Sequence, residues 1–111
     1  MAFTLLTEMR DPIAIITLTG ELDASVAAQL RDAVEQISHT PAQRLVLDMT
    51  HLDYMASAGL RGLVFAKQKM SAVDIYIVGA HDAVFETIEM TGFQHSVFML
   101  DTYDPAVIEV F

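Results

Sequence analysis

The sequence predicts a single α/β domain built on a largely parallel sheet. Apolar, β-branched runs at 13–19, 44–49, 75–78 and 97–100 alternate with segments whose apolar residues recur at helical spacing. The run from Arg44 to Met49 is nearly continuous apolar sequence, the pattern of a strand covered on both faces. At 111 residues the chain has room for one core and not for two, so 1–111 is expected to form one domain.

Phe3 to Arg10 reads as a strand, and Asp11-Pro12 as the turn that leads into Ile13–Thr19, giving an antiparallel hairpin. Gly20 is expected to break the second strand. Asp23 or Ser25 can cap a helix whose Ala27, Leu30, Val34 and Ile37 form an apolar stripe as far as about Ser38, where His39-Thr40-Pro41 stops it. Arg44–Met49 is the expected central strand. A second helix places Leu60, Leu63, Val64 and Met70 along one face, and Asp74–Val78 is the next strand, closed by Gly79. Val84, Phe85 and Ile88 mark a third helix opened by Asp82 and stopped near Gly92. Val97–Leu100 is a last strand, and Pro105 starts a short final helix. Helices joining successive strands imply right-handed crossovers, with the first hairpin supplying the antiparallel part.

Composition narrows the function classes. A chain that is 53% hydrophobic and 19% charged is not a disordered one. Six Lys and Arg face 15 Asp and Glu, and a net charge of −9 repels nucleic acid and anionic lipid, so neither is an expected partner. No apolar run approaches the roughly 20 residues of a membrane-spanning helix, and the N-terminus lacks the layout of a signal peptide; a cytoplasmic location is expected. With no cysteine there is no disulfide, thiolate metal site or cysteine nucleophile. The four histidines are scattered without metal-ligand spacing, and no cofactor is implied. Ser57 between a strand and a helix invites comparison with a hydrolase nucleophile, but Met55 stands where the elbow motif requires its first glycine, so no enzyme is expected.

Leu52 to Val64 is the stretch that carries a functional signal. Ala56, Ser57, Ala58 and Gly59 crowd small side chains at a helix start, where unpaired N–H groups carry partial positive charge and the backbone is open to close approach. Ser57 has two readings: a helix cap worth about 1 kcal/mol, or a hydroxyl that a kinase can use, adding about 1.5 to 2 negative charges. Met55 beside the turn can serve the core or meet a partner. Arg61, a cation one turn into the helix, opposes the helix dipole and so points to an anionic neighbour, Asp23 or a partner carboxylate, or to solvent.

Gly20-Glu21-Leu22-Asp23, Leu45-Val46-Leu47-Asp48, Leu52-Asp53-Tyr54-Met55-Ala56-Ser57-Ala58-Gly59-Leu60 and Ile75-Tyr76-Ile77-Val78-Gly79, in this order, resemble the STAS domain. In particular they resemble the bacterial anti-sigma factor antagonists. The resemblance implies a mixed sheet of four or five strands with helices mainly on one face. It also implies a partner switch, in which the antagonist binds an anti-sigma factor that is also a serine kinase, and phosphorylation ends the binding. Docking would then use Asp23, Met55, Ala56, Ser57, Ala58, Gly59 and Arg61. In the family the phosphorylated serine precedes the glycine at the start of the second helix, in a pattern close to Asp-Ser-Ser-Gly; here that position is Ala58, and Ser57 is the hydroxyl that remains. The loss of the usual acceptor also admits a structural STAS module of a transport or signalling complex, outside phosphorylation control.

Overall fold

The computed structural model describes residues 2–111. Five strands, β1 (Thr4–Arg10), β2 (Ile13–Leu22), β3 (Arg44–Met55), β4 (Asp74–Val78) and β5 (Phe98–Leu100), form one sheet in sequence order. β1 runs antiparallel to β2 and every other neighbouring pair is parallel. Helices α1 (Ala27–Ile37), α2 (Ser57–Lys69), α3 (Asp82–Met90) and α4 (Pro105–Ile108) follow β2, β3, β4 and β5, and a 3₁₀ turn, Phe93–Ser96, leads into β5. Gly92 adopts a left-handed conformation at the end of α3, the expected stop.

Alternation along the strands sends one set of side chains to each face. Ala14, Ile16, Leu18, Leu45, Leu47, Ile75 and Ile77 meet Leu30 and Val34 of α1, Leu60 and Leu63 of α2, and Val84 and Ile88 of α3 in the main core. Ile13, Ile15, Val46, Tyr76 and Val78 point the other way and pack with Ile108 of α4. The single turn of α4 is why Val46 has no exposure although three of four helices lie on the opposite face. Arg44 holds that turn in place. Its Nη1 donates to the carbonyls of Val107 and Ile108 at 3.1 and 2.7 Å, and its guanidinium lies 4.0 Å from the centre of the Phe111 ring. A cation at a helix C-terminus meets the negative end of the peptide dipoles.

Four expectations change. Gly20 does not break β2, which continues through it to Leu22, with Gly20 at φ 93° in a place where a Cβ would lie 2.2 Å from the Ala2 carbonyl oxygen. β3 runs six residues beyond Met49, because β2 stays alongside it as far as the pair Leu22 and Met55. That extension is bulged: Thr17 to Thr19 on β2 spans Asp48 to His51 on β3, and Gly20 to Glu21 spans Leu52 to Tyr54. Neither Asp23 nor Ser25 caps α1; the cap position is Val26, since the Asp23 carboxylate is already taken by Ser25. Val64, placed with Leu60, Leu63 and Met70 on the apolar face of α2, is exposed.

Arg44→Gln should cost about 1–2 kcal/mol in urea unfolding, because it removes a charged donor from two carbonyls. Amide exchange should rise first in α4. Unchanged α4 protection would show that Ile108 packing alone holds the turn.

Candidate functional site

The site lies where β2 and β3 leave the sheet together. Leu22 pairs with Met55, and the Leu22 carbonyl accepts the Ala56 N–H at 2.9 Å, so the chain departs at Asp23 and at Ala56 from adjacent points. The bond to Leu22 keeps Ala56 extended (φ −79°, ψ 167°), and helical geometry begins at Ser57. Ala56 is therefore the cap residue of α2. Its carbonyl accepts from Gly59 and Leu60 at 2.9 and 3.1 Å, while the N–H groups of Ser57 and Ala58 make no hydrogen bond among the described residues.

This register overturns the cap reading of Ser57. Its hydroxyl stands at the first helical position, where a side chain cannot fold back on the N–H groups ahead of it, and no side-chain cap bond forms. Ser57 is exposed, and its hydroxyl makes no hydrogen bond among the described residues. Ala56 and Ala58 are half-buried beside it. One turn on, Arg61 is exposed and forms no ion pair among the described residues, with Asp23 or otherwise. Ser57, Arg61, Val64 and Gln68 make one outward stripe of α2.

Two of the expected surface residues belong to the interior. Met55 is 1% exposed, because the second bulge of β3 turns it into the core. Gly59 is buried, and a Cβ there would lie 2.7 Å from Leu22 Cγ; at Gly62 it would lie 2.8 Å from Leu30 Cδ2. These two glycines let α2 press onto the end of β2 and onto α1, which explains their presence in a helix where each is unfavourable by about 1 kcal/mol relative to alanine.

Asp23 is half-buried, and its Oδ1 accepts from both the N–H and the hydroxyl of Ser25, at 2.9 and 2.6 Å. Those bonds, the hydroxyl's first, hold its carboxyl below the usual aspartate range and keep it ionised. Asp48 accepts from the N–H and hydroxyl of Thr50 at the first bulge. Tyr54 completes the rim, 46% exposed on the β3 extension next to exposed Asp53. Its outward direction agrees with the alternation set by Leu45, Leu47 and Met49, because the two bulges together restore that parity.

A family model described as the STAS domain matches residues 4–106. The chain is 30% identical over 79 residues to an anti-sigma-B factor antagonist of Listeria monocytogenes, covering 69% of each chain. It is 23% identical over 99 residues to the anti-sigma-F factor antagonist RsfB of Mycobacterium tuberculosis, covering 88% of this chain and 81% of that one. Among solved structures, an anti-sigma factor antagonist from Mycobacterium paratuberculosis superimposes with a TM-score of 0.87 at 24% identity, over 98% of this chain and 94% of that one.

Two substitutions test the assignment of the cap. Ser57→Ala should change stability by less than about 0.5 kcal/mol, whereas Ala56→Ser, which puts a hydroxyl where it can accept from the first turn, should stabilise by about 1 kcal/mol. Thermal and urea unfolding of both variants give the comparison, and the reverse order would return the cap to Ser57.

Proposed function

Because the chain belongs to the STAS domain family, in common with the anti-sigma factor antagonists, we propose that it is such an antagonist, acting in the cytoplasm by binding an anti-sigma factor with serine kinase activity. The observation that carries the reading is the juxtaposition of the Asp23 loop with an exposed helix start built from Ala56, Ser57 and Ala58. The first turn of α2 carries only the small side chains of Ser57, Ala58 and Gly59 after Ala56. A partner can approach its backbone, offer acceptors to the free N–H groups of Ser57 and Ala58, and reach Arg61 with a carboxylate. Asp23 adds a fixed negative charge for a partner cation. The docking surface is accordingly Asp23, Ala56, Ser57, Ala58 and Arg61, with Met55 and Gly59 shaping it from beneath. Among the described residues no helix is long and apolar enough to cross a membrane.

The turn departs from the family pattern at two residues, Ala56 in place of the acidic residue and Ala58 in place of the acceptor serine. Ala58 has no hydroxyl, and the acceptor we assign is Ser57, exposed and without a competing hydrogen bond among the described residues. A phosphate there would sit on the free N–H groups of the first turn and within one turn of Arg61, which stabilises the modified chain. It would also place bulk and charge where the partner must touch.

Ala58→Glu should abolish partner binding while far-ultraviolet circular dichroism stays unchanged, since the side chain is added at a half-buried surface position. Affinity capture from the native cell with mass spectrometry identifies the partner, and phosphopeptide mapping locates any phosphate. Recovery of transporter or scaffold subunits, with no kinase-like protein and no phosphate on Ser57, would favour the structural-module reading that the missing Ala58 hydroxyl supports.

A further inference from the structure

The junction between β4 and α3 is fastened to β3 by contacts that the docking role does not use. β3 outruns β4: their pairing ends at Asp48 and Val78, and beyond it α3 packs beside the extension. Two carbonyls of β3 there are met by side chains of the α3 segment. The Thr87 hydroxyl, 3.0 Å from the Ala83 carbonyl of its own helix, also lies 3.3 Å from the Met55 carbonyl oxygen, and His81 Nε2 lies 3.1 Å from the Thr50 oxygen. The other ring nitrogen, Nδ1, lies 3.1 Å from Asp82 Oδ2.

A carbonyl and a carboxylate only accept. Both contacts are hydrogen bonds at once only if both ring nitrogens donate, and only the imidazolium carries two N–H groups. The surrounding backbone leaves little slack for an alternative. Gly79, at φ 74°, passes so close to Thr50 that a Cβ would lie 2.4 Å from its Oγ1, and Thr50 itself is held by Asp48 through its N–H and hydroxyl. Asp82 sits at φ 48°, in the left-handed region that non-glycine residues adopt at a cost.

We propose that His81 is a proton-operated latch, which holds the start of α3 against the β3 extension when the ring is protonated and loosens it when the proton leaves. The latch is a property of the free domain and does not rest on the docking role. The charged groups acting on the ring are Asp82 on its own segment and Asp53 on β3, both anionic. The Asp82 hydrogen bond, then the Thr50 carbonyl, hold the imidazole above the usual histidine range. A raised pKa in the folded state means stabilisation that is complete below the ordinary histidine value and disappears as pH rises through the folded-state value. Acidification therefore closes the latch.

The test is an imidazole ¹⁵N titration of the full chain from about pH 5 to about pH 9, with amide exchange followed at residues 81–85 and 50–52 in the wild type and in His81→Gln. His81 should titrate above the ordinary histidine value with both nitrogens protonated at the acid end. After correction for intrinsic base catalysis, wild-type exchange should rise as the proton leaves, by up to about tenfold for each unit by which the pKa is raised, and should stay flat in His81→Gln. Titration at or below the ordinary value, flat exchange in the wild type, or the same rise in His81→Gln would each overturn the proposal.

Discussion

The close seating of α2 on the ends of β2 and α1 is the constraint on which the rest of the site depends. It needs two absences, the side chains of Gly59 and Gly62, whose places are filled by Leu22 and Leu30. With those contacts made, Leu22 is fixed both as a core residue and as the carbonyl that ties down Ala56. Everything exposed at this end, from the Asp23 loop to the free hydroxyl of Ser57, is placed by that one packing arrangement. A helix able to slide by a fraction of a turn would offer a partner an ensemble of surfaces. Interdigitation at Gly59 and Gly62 leaves it one.

Much of the fold can be read along the chain because local pattern and tertiary role agree there. Arg44 to Met49 is apolar on both faces and is covered on both, by three helices on one side and by α4 on the other. The hairpin, β4, and the stop at Gly92 follow from turn chemistry and periodicity. Disagreement begins where the structure depends on partners far away in sequence. Gly20 looks like a strand terminator because glycine is poor in strands, yet here it lets the N-terminal residues cross close to β2. The bulges of β3 exist only in relation to β2, so a strict alternation carried on from Met49 would turn His51 and Asp53 inwards and Leu52 outwards, whereas Leu52 is buried and the other two are exposed. The position of Ser57 is a displacement of a single residue. Which of two neighbouring small residues caps a helix is decided by the hydrogen bond that Ala56 donates to the Leu22 carbonyl, thirty-four positions upstream by their numbering.

That displacement bears on how such a surface can be controlled. At helical pitch, consecutive residues point about 100° apart, so Ser57 and Ala58 face different directions although both belong to the first turn. Ala58 lies partly against the domain, and Ser57 stands on the outward stripe with Arg61. A phosphate on the outer position would have an internal counter-charge within reach. One on the inner position would have to be accommodated at a half-buried place against the domain.

The two bulges in β3 also set a rule for chain length. Each adds one residue to β3 without a counterpart on β2, and together they bring Met55 into the core and Ala56 beneath the Leu22 carbonyl. With both bulges kept, removing or inserting one residue between Asp48 and Met55 would reverse the inward and outward faces of everything beyond it. Point substitutions leave that parity intact, whereas a single-codon deletion destroys it. The spacing between central strand and docking helix is therefore information in its own right, carried by the number of residues as much as by their identity.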